Sequence, residues 1–118
     1  MSKVLLNLIV IRSSNIDESA VFYQQIGLSL IKHQHGNGLE HFTSNLDGII
    51  FEIYPFITGS ASASATRIGF QVTSLDVVVG ELQKHGASII SPPKNSPWGR
   101  RAVVSDPDGH VVELTQID

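Results

Sequence analysis

The chain has 118 residues, 42% of them apolar, enough for one compact domain with its own core. A net charge of −3 and a pI near 5.9 exclude the basic footprint of a nucleic-acid binder, since the basic group Lys94, Arg100 and Arg101 is too small for a polyanion partner. No cysteine is present, which excludes disulfides and thiolate chemistry.

The first apolar run, residues 4–12, is too short to span a bilayer and lacks a small-residue cleavage site. It reads as a buried strand, and the expectation is a cytoplasmic protein without a membrane partner. Asn15-Ile16-Asp17-Glu18 is a capping-box-like helix start. Ile16, Ala20, Tyr23 and Ile26 then recur at helical spacing, and Gly27 suits a left-handed C-cap. Residues 28–34, about 39–44, and 48–54 read as three strands, separated by the hairpin-forming runs HGNG and SNLDG. Residues 1–57 therefore form a βαβββ module, and the small, polar run TGSASASAT at 58–66 reads as a flexible connector.

Residues 67–118 repeat the pattern. A strand at 67–72 precedes a helix capped by Ser74, with Leu75, Val78, Val79 and Leu82 inward and Gly86 at its end. Strands follow near 87–91, 101–105 and 110–116, with a bend at SPPKNSPWG and a turn at Asp106-Pro107-Asp108-Gly109. An offset of 59 carries Leu8 to Arg67, Asn15 to Ser74 and Gly27 to Gly86, and 118 is twice 59. A shift of 61 carries Phe51-Glu52-Ile53 onto Val112-Glu113-Leu114. Two copies are too few for a solenoid, so the chain reads as a duplicated module.

Side chains alternate along a strand. Phe51 and Ile53, like Val112 and Leu114, form apolar faces suited to covering a helix. Glu52, Tyr54 and Glu113 then point to the opposite face, together with Leu8, Val10 and Arg12 of the first strand and Arg67, Gly69 and Gln71 of its repeat. Apolar residues mixed with a few charged anchors suit a ligand cavity.

The paired βαβββ pattern, NIDESAVFYQQIGL after the first strand and PWGRRAVVSDPDGHVVEL near the end resemble the vicinal oxygen chelate superfamily. That group comprises glyoxalases, bleomycin resistance proteins and extradiol dioxygenases. The resemblance covers the whole chain and implies an α+β fold: two tandem modules forming a cupped mixed sheet, helices on its outer face, often completed by a second chain. Metal-dependent relatives place ligands at four positions, which fall here on Leu8, Glu52, Arg67 and Glu113. Leucine has no donor atom and arginine keeps its proton, so only the two acids could ligate. No cofactor is therefore expected. If a divalent metal is bound, Glu52 and Glu113 would hold it.

Glu52 and Glu113 read either as metal ligands or a general base, or as cup residues held by Arg67 and Arg12 through charge-assisted bonds. An arginine at a ligand position could also hold an anionic or carbonyl-bearing ligand. His33, His35 and His41 cluster around the second and third strands. A metal could use His35 and His41, or all three are edge and loop residues at the rim of the cup. His85 complements a helix C-terminus, and His110 is expected to be exposed. Trp98 reads as a packed lid or a ligand-stacking wall. Of Arg100 and Arg101, one should face inward. The implied function is binding of a small organic ligand in a dimer-shared cavity lined by Leu8, Arg12, Glu52, Tyr54, Arg67, Gln71, Trp98, Arg101 and Glu113. The alternatives are a metal-dependent lyase, isomerase or dioxygenase resembling glyoxalase, with no catalytic residue assigned, and a regulatory dimer without a ligand.

Overall fold

The computed structural model describes residues 5–57 and 66–116. The expected connector, apart from Thr66, lies outside the described residues. The first module runs β1 (Leu8–Ser13), α1 (Ile16–Ile26), β2 (Ile31–His33), β3 (His41–Leu46) and β4 (Ile49–Pro55). The second runs β5 (Arg67–Val72), α2 (Leu75–Lys84), β6 (Ser88–Ser96), β7 (Gly99–Ser105) and β8 (Val111–Gln116). Each module makes a four-stranded mixed sheet, in the orders β1-β4-β3-β2 and β5-β8-β7-β6. The two tandem βαβββ modules are thus present, as two separate sheets that do not close on one another. Among the described residues, no helix is long and apolar enough to cross a membrane.

Local chemistry accounts for most boundaries. Asn15 caps α1, its Oδ1 accepting the Glu18 N–H at 3.1 Å. Asn15→Ala should cost about 1 kcal/mol, read as a lower urea midpoint with an unchanged slope. Gly27 ends α1 at φ 126°, a conformation that a Cβ disfavours. The β3–β4 hairpin closes on Asp47 and Gly48, with φ of 56° and 96°, as a two-residue turn of the primed type requires.

β2 is shorter than expected, Ile31–His33, and two further features depart from expectation. β6 absorbs most of the bend and turns back only at Pro97-Trp98, where Ser96 pairs with Gly99. It can carry Pro92 and Pro93 because it is an edge strand with irregular register, where a missing N–H costs little. Ser74 stands at the N-cap of α2 without a side-chain capping bond. The Leu75 N–H is taken instead by Gln116 Oε1 at 3.1 Å, from the end of β8.

The core is one cluster built from both modules. Phe51 and Ile53 of β4, Val112 and Leu114 of β8, Tyr23 of α1 and Leu75 and Leu82 of α2 are all buried in it. The Tyr23 ring lies 4.9 Å from Phe51 and 6.0 Å from Phe70, so aromatic contacts cross from one module to the other.

A polar latch reinforces that junction. The buried Asp106 carboxylate accepts from Tyr23 Oη at 2.7 Å, His110 Nδ1 at 2.6 Å, and the Asp108 and His110 backbone N–H groups, both at 2.9 Å. Burial and the adjacent Asp106 push the Tyr23 hydroxyl well above its usual range, which keeps it a donor. His110, expected to be exposed, is buried because its ring N–H completes this carboxylate. Asp108 Oδ1 accepts from Ser14 N at 2.8 Å and Ser14 Oγ at 2.6 Å, and its Oδ2 accepts from Ser19 Oγ at 3.1 Å. Desolvation opposes ionisation of Asp108, but bonds from Ser13, Ser14 and Ser19 outweigh it and hold its carboxyl below the usual range. The turn between β7 and β8 thereby fastens the second module to the start of α1.

Candidate functional site

Because the apolar face of each sheet enters the shared core, the opposite face of each turns away from it. Strand register identifies who meets whom on the first of these faces. Arg12 pairs with Tyr54, Val10 with Glu52 and Leu8 with Ile50, while His33 pairs with His41 across β2 and β3. The Arg12 guanidinium lies over the Tyr54 ring at 5.2 Å and donates to Pro55 O at 3.2 Å. Tyr54 stacks on His41 with 4.2 Å between centroids and 7° between planes. His41 Nε2 in turn lies 3.6 Å from Glu52 Oε2.

Two expectations change here. Arg12 was expected to hold an acid, yet it serves Tyr54 and Pro55, and Glu52 faces His41 instead. His41 was expected at an edge or loop and is only 1% exposed. It belongs to the centre of this face, a fact that depends on the β3–β4 register and not on local pattern. Leu8 and Val10 remain 50% and 42% exposed beside it.

On the second face, Arg67 Nε donates to Glu113 Oε2 at 2.8 Å, and Arg101 Nη2 donates to Glu113 Oε1. Two guanidiniums thus engage the two oxygens of one carboxylate, leaving an excess of positive charge. Gln71 is exposed two residues beyond Gly69 on the same side of β5. Arg101 is therefore the inward arginine. Arg100 points to the helix side, reaching Asp76 of α2 at 2.8 and 2.9 Å, and its guanidinium holds the Asp76 carboxyl below the usual range. Trp98 is 80% exposed at the tip of the β6–β7 hairpin, so it is not a packed lid.

These residues do not fit the four-position metal site of the metal-dependent relatives. Leu8 offers no donor atom, and Arg67 occupies its position as a hydrogen-bond donor to Glu113. Both Glu113 oxygens are engaged by cations. Glu52 and Glu113 lie on different sheets and share no polar partner. The second face thus presents Arg67 and Arg101 as charged donors converging on one oxygen-acceptor position.

A cleft of about 420 Å³ opens elsewhere, between α1 and the second module, lined by Glu18, Phe22, Gln25, Leu82 and Asp106 among others. Its buried acid, Asp106, already accepts four hydrogen bonds and is committed to the latch.

A family model for the Glyoxalase/Bleomycin resistance protein/Dioxygenase superfamily matches residues 5–114. An uncharacterised protein of Mycolicibacterium smegmatis is 28% identical over 110 residues, covering 93% of this chain and 91% of its own. TnmS3, an antibiotic binding protein from Streptomyces sp. CB03234, is similar at 27% identity with a TM-score of 0.73, over 100% of this chain and 99% of its own. A glyoxalase family protein from Bacillus cereus shares the fold at 21% identity with a TM-score of 0.78, over 96% of this chain and 94% of its own. With two tandem βαβββ modules and a family match running from before β1 into β8, the chain belongs to the glyoxalase/bleomycin resistance protein/dioxygenase superfamily.

Proposed function

We propose that this protein binds a small organic ligand in a cup shared by two copies of the chain, without the four-position metal site of its metal-dependent relatives. The observation that carries the reading is Glu113 held between Arg67 and Arg101. Ion pairs this exposed contribute only about 0–1 kcal/mol, so stability does not account for two arginines on one acid. A ligand oxygen that shares or replaces Glu113 as their acceptor does account for them.

The second copy follows from what one chain leaves open. β1 and β5 are both edge strands, and the outer face of β1 exposes Leu8 and Val10. An unpaired edge beside apolar surface favours coverage by another chain. The first face of one protomer against the second face of its partner would join Tyr54, Glu52 and the apolar β1 residues to the Arg67–Arg101 pair. Such a cavity suits a partly apolar, ring-containing molecule with a carbonyl or anionic oxygen. The similarity to TnmS3, an antibiotic binding protein, supports a small organic molecule as the ligand.

The test is a calorimetric panel of ring-containing antibiotics against chelator-treated protein, with light scattering for mass. Binding that persists without added metal, on a particle of twice 12.8 kDa, is the expected result. Binding or turnover that requires an added divalent metal, or a strictly monomeric protein, would overturn the reading in favour of a metal-dependent enzyme or an intrachain site.

A further inference from the structure

His33, His35 and His41 gather their ring nitrogens at one point on the first sheet, with ligating atoms all within 4.8 Å of one another. The cluster follows from topology. His33 and His41 are direct partners across β2 and β3, so their side chains share a face, with ring centroids 6.1 Å apart. His35 lies two residues beyond His33, and its ring centroid is 5.4 Å from that of His41. None of the three falls on the positions that resemble the relatives' metal ligands.

A second observation concerns His41 alone. Its Nδ1 lies 3.1 Å from Leu39 O, a carbonyl that can only accept, so this nitrogen carries a proton. In the neutral ring the lone pair then sits on Nε2. That atom is buried without a hydrogen-bond partner and faces the Glu52 carboxylate at 3.6 Å. A lone pair opposite a carboxylate is two acceptors with nothing between them, an arrangement that a cation relieves. A backbone carbonyl that fixes the tautomer is also the usual support of a metal-bound imidazole.

From these two observations we infer that His33, His35 and His41 form a binding site for a divalent transition metal, with Glu52 as the adjacent negative charge. Three imidazoles select zinc, nickel, copper or cobalt over magnesium and calcium. Metal–nitrogen bonds of roughly 2.0–2.1 Å require the rings to draw together from their present spacing. His33 and His35 are exposed and have the rotamer freedom to do so, while His41 is held by its stack on Tyr54. Three ligands leave a fourth position open to water. Lys32 does not compete electrostatically, since it pairs with Asp17 and lies over Phe42, whose register places it on the helix side of the sheet.

The three histidines share no contact with the Arg67–Glu113–Arg101 cluster, and the site is tested with the metal alone, apart from any organic ligand. Untagged, chelator-treated protein is titrated with Zn²⁺ alone by calorimetry and with Co²⁺ alone by visible absorbance. The expected result is one equivalent bound per chain, with the intense Co²⁺ bands of a four-coordinate site and no competition from Mg²⁺. His33→Ala and His35→Ala each abolish stoichiometric binding while leaving the unfolding midpoint of the metal-free protein unchanged. Glu52→Gln weakens binding roughly 10- to 100-fold. Absence of stoichiometric binding, or binding that survives both histidine substitutions, overturns the assignment.

Discussion

Asp106→Ala is expected to lower the free energy of unfolding by about 3–5 kcal/mol, the range for removing one partner from a buried charged network. Against the roughly 5–15 kcal/mol that stabilises a typical domain, that is a large share. The cause lies in what remains. Tyr23 Oη, His110 Nδ1 and two backbone N–H groups all donate to this carboxylate, and an alanine leaves them buried without an acceptor. Because Tyr23 belongs to the first module and His110 to the second, the loss also loosens the junction between them. Urea unfolding followed by both fluorescence and circular dichroism checks this. The midpoint should fall, and divergence of the two probes would show the modules separating before they unfold. Asp106→Asn keeps the shape but presents an amide donor to other donors, so it should fall between the wild type and alanine. The exposed pair Asp76–Arg100 serves as the contrast: Asp76→Ala should barely move the midpoint.

The second large effect is on binding. Arg67→Ala should weaken the most tightly bound ligand of the panel by about 1.5–3 kcal/mol, roughly 10- to 100-fold, the contribution of a hydrogen bond from a charged donor. Stability should change little, since Arg67 is half exposed and Glu113 retains Arg101. Arg67→Lys should recover only part of the affinity, because an ammonium keeps the charge without the planar, forked donors. Affinity equal to the wild type in Arg67→Ala would remove the arginine from the site.

The pattern of the chain carries the architecture well. The repeat at 59, the cap at Asn15 and strand alternation suffice to sort Phe51, Ile53, Val112 and Leu114 from Glu52 and Glu113. The cap and the alternation are local properties, readable over a few residues, and the repeat is a comparison of sequence with itself. What pattern does not carry is register and long-range polar pairing. His41 becomes a buried central residue only because β3 pairs with β4 so that it stacks on Tyr54. His110 is buried only because Asp106 and Tyr23, 83 residues apart, meet across the module junction. Arg100 and Arg101 are likewise indistinguishable by type, and their roles separate once one reaches Asp76 and the other Glu113. The proline-rich β6 misleads for a related reason, since an edge strand tolerates what a central one would not.

The central claim is that a cup takes one face from each of two chains, and mixing two defective variants tests it most directly. Tyr54→Ala impairs the first face and Arg67→Ala the second, so each protein alone should bind poorly. Mixed and allowed to exchange subunits, they form heterodimers that each carry one intact cup, restoring about a quarter of the wild-type sites under random pairing. Calorimetric titration of the mixture should detect those sites at wild-type affinity. A mixture that binds no better than its two components would contradict a cup shared between chains.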